Sequence, residues 1–211
     1  MKLVRLSVFC ALAALTTLPQ VAHADLLFST YTGESVTSNN ANQVLGTEFL
    51  VGASNLLVTD LGVYDANLDG LVFSHQVGIW RVSDQALVGS ATVPSGTAGT
   101  LTEKWRFTTA SFTLSANTTY RIGALESTPA DGNPFSGTFS LSGGVASVTS
   151  GSVFSGSGFV FPSNSNGVAR VFANAIVTVA GGGSAPEPGT LALLALGGAC
   201  AFARRRRCIA R

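Results

Sequence analysis

Val77-Gly78-Ile79-Trp80-Arg81-Val82 sets Val77, Ile79 and Arg81 on one side of an extended chain and Gly78, Trp80 and Val82 on the other. Side chains of a strand alternate between two faces, so such a run reads as a strand with one face toward a core. The alternation returns in Tyr120, Ile122 and Ala124 against Arg121 and Gly123, and in Leu57, Thr59, Leu61 and Val63 against Val58, Asp60 and Gly62. Turn-formers punctuate these runs at Asn39-Asn40, Asp69-Gly70, Pro94-Ser95-Gly96, Ala116-Asn117, Asp131-Gly132-Asn133-Pro134 and Pro162-Ser163-Asn164. Strands at this spacing, with no helical period between them, predict one all-β domain over residues 25–180, an antiparallel β-sandwich of jelly-roll-like arrangement. Its expected terminal strand, residues 168–179, runs straight into a glycine linker. Residues 136–158 are nearly all Gly, Ser, Thr, Val and Phe, and predict either a meander of small side chains or a mobile excursion, with weakly specified register.

Composition narrows the function. Charged residues are 11% of the 211, against about 25% in an ordinary soluble protein. The basic residues gather at the ends, leaving ten acidic and five basic residues between Asp25 and Ala180. A domain of formal charge −5 lacks the basic footprint that nucleic acid requires, because that binding rests on Lys and Arg neutralising phosphates. Cys10, Cys200 and Cys208 all lie outside the domain, so its stability has to come from packing rather than disulfides.

Residues 1–24 read as a signal helix: Lys2 and Arg5, an apolar run over 6–15, then Ala22-His23-Ala24. Small residues at Ala22 and Ala24 suit signal peptidase after passage through the Sec machinery, and the expected cut is before Asp25. The other end begins with a Gly/Ser linker over 181–185, followed by Pro186-Glu187-Pro188. Residues 189–203 carry no charge and read as a transmembrane helix running into Arg204-Arg205-Arg206-Arg207. As a helix this span covers ~22 Å, short of a ~30 Å hydrocarbon core, which snorkelling arginines and local thinning can accommodate. The positive-inside rule keeps the arginines cytoplasmic and puts the domain across the inner membrane.

Pro186-Glu187-Pro188, the apolar helix and the arginine cluster together resemble the PEP-CTERM sorting signal of Gram-negative bacteria, over residues 186–211. The resemblance implies an exosortase, an integral-membrane cysteine protease, that cuts near Pro186-Glu187-Pro188 and delivers the domain to the cell surface or extracellular matrix. The chain departs from the usual pattern in its short apolar stretch and in the added Cys208-Ile209-Ala210-Arg211. A second resemblance spans about 80 residues: Leu45-Gly46-Thr47-Glu48-Phe49, Leu61-Gly62-Val63-Tyr64-Asp65, His75-Gln76-Val77-Gly78-Ile79-Trp80 and Thr118 to Ala124 are similar to an uncharacterised β-sandwich module of secreted bacterial proteins, often found beside carbohydrate-active domains. It implies architecture rather than activity. Trp80 and Tyr120 read as core aromatics rather than sugar platforms, since both sit inside alternating runs.

The sharpest chemical pattern is Asp65-Ala66-Asn67-Leu68-Asp69-Gly70, the first half of a calcium loop. Oxygens of Asp65, Asn67 and Asp69 at alternate positions of a tight turn can converge on Ca²⁺, the one cofactor the residues suggest. The second half is missing: Gln76 stands where a bidentate Glu belongs, and the flanks read as strands. The alternative is a hairpin turn without an ion, since Asp and Asn tolerate left-handed geometry and hydrogen-bond their own backbone. His75 is the only histidine downstream of residue 24 and reads as a structural hydrogen-bonder. No nucleophile elbow, zinc-protease motif, P-loop or dinucleotide fingerprint occurs. Asp60, Asp65, Asp69, Asp84, Glu103 and Glu126 leave a carboxylate pair for glycoside cleavage formally open, with no spacing that selects one. These readings predict a non-enzymatic exported protein associated with exopolysaccharide or biofilm. A calcium-stabilised carbohydrate-binding module and a secreted glycan-degrading enzyme are the alternatives.

Overall fold

The computed structural model describes residues 23–37, 42–127, 130–167 and 170–180. The expected signal helix lies outside them apart from its last two residues, and the expected transmembrane helix lies outside them entirely. Among the described residues there are fifteen strands and no helix. In chain order they are β1 Ala24–Leu26, β2 Phe28–Thr32, β3 Ser35–Thr37, β4 Gln43–Val51, β5 Leu56–Tyr64, β6 His75–Arg81, β7 Leu87–Val93 and β8 Thr100–Thr102. They continue as β9 Trp105–Leu114, β10 Thr119–Glu126, β11 Asn133–Phe135, β12 Thr138–Leu141, β13 Val145–Phe154, β14 Asn164–Asn166 and β15 Ala173–Val179.

One sheet has the order β1-β15-β5-β9-β8 and the other β14-β13-β4-β10-β6-β7, with every pairing antiparallel. Eight strands pair as a nested set: β1 with β15, β4 with β10, β5 with β9, and β6 with β7. The chain is thus laid out as one long hairpin folded back on itself. Two small ribbons, β3 with β11 and β2 with β12, complete the structure.

The two sheets share one core. Leu45, Phe49 and Val51 of β4, Val77 and Ile79 of β6, and Tyr120, Ile122 and Ala124 of β10 supply one wall. The other comes from Leu56, Val58, Leu61 and Val63 of β5, Trp105, Phe107 and Leu114 of β9, and Ala173, Ala175 and Val177 of β15. Fully burying a large apolar side chain stabilises by ~1.5–3 kcal/mol, so this cluster suffices without cross-links.

Alternation places β6 and β10 correctly but misreads the start of β5. Leu57 is turned outward at 38% exposure while Val58 is buried at 0%. The pairing with β15 shifts register between Ile176 and Val177, leaving Thr59 as an extra residue on β5, and a bulge of this kind reverses the phase of alternation. The terminal strand is also shorter than expected, beginning at Ala173. The small-residue stretch forms β12 and a ten-residue β13 whose pairing with β4 shifts register three times, as weak specification predicts. Trp80 is buried, but on the face away from the core, beneath the Phe159 ring at 5.1 Å between centroids. The loop after β13 lies over this outer face and is latched by Arg121, whose Nε donates to Glu48 at 2.6 Å and whose guanidinium stacks on Phe161.

The topology gives the domain two poles. Ala24 lies opposite Thr178, so the start of β1 and the end of β15 leave from the same pole. Strand β5 runs from Leu56, beside Val179, to Tyr64, whose N–H donates to Phe172 O at 2.9 Å. Its nine residues put the loop that follows ~27 Å from the chain exits.

Candidate functional site

At the far pole β5 ends on Tyr64 and the chain turns through Asp65 to Gly70. The turn places Leu68 (φ 64°) and Gly70 (φ 113°) in left-handed backbone, the conformation Gly adopts at no steric cost. Leu68 N–H donates to Asp65 O at 3.3 Å and Gly70 N–H donates to Asp65 Oδ2 at 3.0 Å, so the loop is pinned by its own first residue.

Asp65 and Arg106 are both buried, and the guanidinium of Arg106 reaches Asp65 from neighbouring β9. Its Nε donates to Asp65 Oδ2 at 2.6 Å, Nη2 donates to Leu68 O at 3.3 Å and Nη1 to Gly99 O at 3.4 Å. The convergent oxygens that a calcium loop would turn on a metal are here turned on a guanidinium. Asn67 and Asp69 are exposed. Among the described residues no three His, Cys, Asp or Glu side chains gather as a metal site.

A second carboxylate ties the neighbouring loop down. Asp131 accepts from Val72 N–H at 2.7 Å, Phe73 N–H at 3.1 Å and His75 Nε2 at 2.9 Å. His75 Nδ1 lies 2.8 Å from Leu125 O, which can only accept. Both ring nitrogens therefore face oxygen atoms, Leu125 O on one side and Asp131 Oδ2 on the other. Burial works to raise the Asp131 carboxyl, but the bonds from His75, Val72 and Phe73 outweigh it and hold the group below the usual carboxylate range. In the sequence, Asp131-Gly132-Asn133-Pro134 reads as a turn only. The signal for more would have been an Asp with a lone His to pair with, which is weak without the fold.

Next to this pair, Glu126 closes β10 at 0% exposure. Burial pushes its carboxyl up to about 8, and the Asp131 charge adds to the rise against opposition from Asn133 and Arg170. Asn133 Nδ2 donates to Glu126 Oε2 at 2.8 Å, while Glu126 Oε1 and Asn133 Oδ1 are buried without a hydrogen-bond partner among the described residues.

Asp65, Asn67, Asp69, Val72 and Asp131 line a half-open hollow of about 240 Å³. Val36, Leu68, Val72 and Phe73, between 44% and 58% exposed, bring apolar surface to this pole. Of the carboxylates in these walls, Asp65 and Asp131 are already committed to structural partners. Of the other carboxylates, Asp84 pairs with Arg81 at 3.1 Å, Glu103 accepts from Thr30 N–H at 3.0 Å, and Asp60 lies half-buried on β5.

Comparison with known families matches residues 184–207 to the PEP-CTERM protein-sorting motif. The chain carries a PEP-CTERM sorting domain. The match takes in Pro186, Glu187, Pro188 and the arginines 204–207, all of which lie outside the described residues. A PEP-CTERM chain is exported, passes the membrane in anchored form and is processed by an exosortase. Among curated proteins, none matches the chain. Of the expected signal-peptidase residues, Ala22 lies outside the described residues and Ala24 opens β1.

Proposed function

We propose that this PEP-CTERM protein is a non-enzymatic component of the cell surface or extracellular matrix of a Gram-negative bacterium, associated with exopolysaccharide in biofilm. In this reading the Sec machinery exports it, signal peptidase cuts before Asp25, and exosortase cuts near Pro186-Glu187-Pro188. The sorting motif at 184–207 carries the reading. Two features of the domain support it. The nested strand pairing fits a jelly-roll sandwich, a scaffold that closes most of its edges and tolerates life outside the cell. The chain exits also stand at the pole opposite the hollow, so a domain held by its tail would present Asp69, Val72 and Phe73 outward.

The test is a glycan-binding screen on the protein recovered from producing cells, together with its intact mass. Retention on the producer's own polysaccharide, with a mass ending near Pro186, supports the proposal. A species that keeps Arg204 to Arg211 and ignores every glycan refutes it.

A calcium-stabilised carbohydrate-binding module is the second reading, favoured by Asn67 and Asp69 standing exposed at the hollow. A cation there would share Asp65 with Arg106. Unchanged melting on calcium titration and on chelation removes this reading and leaves the first intact.

A further inference from the structure

Where the chain leaves the domain, three loops are knit to the end of β15. Ala180 N–H donates to Asn55 O at 2.8 Å, and Asn55 Oδ1 accepts from Ala116 N–H at 2.8 Å. Gly52 O accepts from Asn117 N–H at 2.9 Å, while Gly52 N–H donates to Gly144 O at 2.9 Å. Loops 52–55, 115–118 and 142–144 thus make one end face around the start of the tail. All eleven of their residues are Gly, Ala, Ser, Thr or Asn. Ala53, Ser115 and Gly143 stand exposed on it, and a Cβ added at Gly143 would meet nothing within 4 Å.

Charge gathers at the opposite pole. Glu34, Asp65, Asp69, Glu103, Glu126 and Asp131, six of the ten acids between residues 25 and 180, belong to the end where β5 and β10 finish and β6 begins. Near the exits stand Asp25, on β1, and Asp84, which Arg81 pairs at 3.1 Å. The end face can therefore meet another surface without stripping water from a charge of its own, the costliest group to desolvate. Chain length decides which surface that is. Six residue steps separate Ala180 from Pro186, at most ~21 Å of fully extended chain, and nine separate it from Gly189, where the uncharged run begins, at most ~32 Å. An enzyme that cuts near Pro186-Glu187-Pro188 has to fit its substrate groove into that interval, with the domain at one end and lipid at the other. One layer of protein beside an extended segment is ~10 Å thick, so the groove wall and the end face stay ~11 Å apart only if the linker is pulled straight, and any bend brings them together.

We infer that the end face made by loops 52–55, 115–118 and 142–144 is the surface on which the folded domain docks against its membrane-embedded sorting protease while the tail is cut. The inference rests on the reading of the tail as an exosortase substrate. Small neutral side chains let the protease come flush with the face, and the bond from Ala180 to Asn55 O fixes where the tail starts from it.

Pulse-labelled producing cells, followed by intact mass, give the rate at which the species keeping Arg204 to Arg211 becomes one ending near Pro186. The double variants Ala53→Glu/Gly143→Glu and Ala53→Lys/Gly143→Lys should each slow that conversion severalfold, because a charge of either sign would lose its water against a protein wall. Val160→Glu should not, since Val160 is exposed on the loop that Gly158 N–H ties to Asn42 O, by the other end of β4. A linker longer by about ten residues, ~35 Å at full stretch, should restore the rate in both double variants. Rescue of this kind separates a lost contact from a lost fold, because a misfolded domain gains nothing from a longer tether. Double variants cut at the wild-type rate overturn the inference, as does a slow variant that the longer linker fails to rescue. Slowing by glutamate but not by lysine would mean that the face meets anionic lipid headgroups instead of protein, and overturns it too. A wild type that never loses its arginines would refute the reading of the tail, and the inference with it.

Discussion

Glu126 should make the domain lose stability as pH rises through neutrality. Its carboxyl is moved from 4.5 in the unfolded chain to about 8 in the fold, with burial the largest cause. Below pH 4.5 the group is protonated in both states and takes nothing from stability. Between 4.5 and 8 the unfolded chain releases the proton and the folded chain keeps it, so unfolding is favoured by ~1.4 kcal/mol per pH unit. Above 8 both states are ionised and the loss levels off at ~5 kcal/mol, an order-of-magnitude figure and a large part of a typical domain's ~5–15 kcal/mol. Glu126→Gln keeps the shape and the acceptor for Asn133 Nδ2 while removing the proton. Urea unfolding of the secreted protein at pH 5, 6, 7, 8 and 9 should therefore give a falling stability for wild type and a much flatter line for the variant. The two should differ most at pH 8 and above, with the variant the more stable. Parallel lines would refute the reasoning, because they would mean that Glu126 ionises alike in both states.

Arg106→Ala should destabilise by ~3–5 kcal/mol, because it leaves the Asp65 carboxylate buried without its counter-charge, and Asp65→Asn combined with it should restore part of the loss in the same unfolding assay. Gly46→Ala should prevent accumulation of folded protein, since a Cβ there would stand 1.8 Å from Ile122 O, a backbone atom that cannot turn aside; soluble yield and circular dichroism check it. Glu187→Ala, inside the matched motif, should reduce tail processing and leave cells with a heavier species retaining Arg204 to Arg211, read by intact mass. Acid should weaken the Asp131 clasp: its carboxyl is held low in the fold, so the stability it supplies is present above the ordinary Asp range and lost as pH falls through the folded value. Asp131→Asn should blunt that acid loss in thermal melts.

What the sequence made legible follows from the range of the forces involved. Strand alternation is local, so β6 and β10 could be placed from Val77, Ile79, Tyr120 and Ile122 alone, and Tyr120 was rightly assigned to the core. The bulge at Thr59 was not legible, because it is decided by how β5 meets β15, a partner more than a hundred residues away. Trp80 reads from sequence as a core aromatic, whereas it is buried on the outer face under Phe159, since a loop that crosses an outer sheet face leaves no period in the sequence. The sorting motif was readable because its three parts adjoin one another along the chain. The pole opposite the exits was half readable: Asp65, Asn67 and Asp69 signalled a loop built to gather oxygens, while Arg106, Asp131 and Asn133 come from elsewhere in the chain.

That loop also carries a lesson about charge. A run of oxygens converging on one point requires positive charge, but not a particular source of it. In this fold β9 passes within one strand spacing of Asp65 and delivers a guanidinium that bonds Asp65, Leu68 O and Gly99 O together. An arginine carried on a neighbouring strand is covalently part of the fold and cannot dissociate as a bound ion can. Asp131 acts alike on the facing loop through His75 and two backbone N–H groups. Both carboxylates spend their charge on rigidity, which leaves Asn67 and Asp69 as the polar side chains of the hollow free to meet a ligand. The domain that precedes the sorting motif thus has its chain exits at one pole and this rigid, half-apolar hollow at the other.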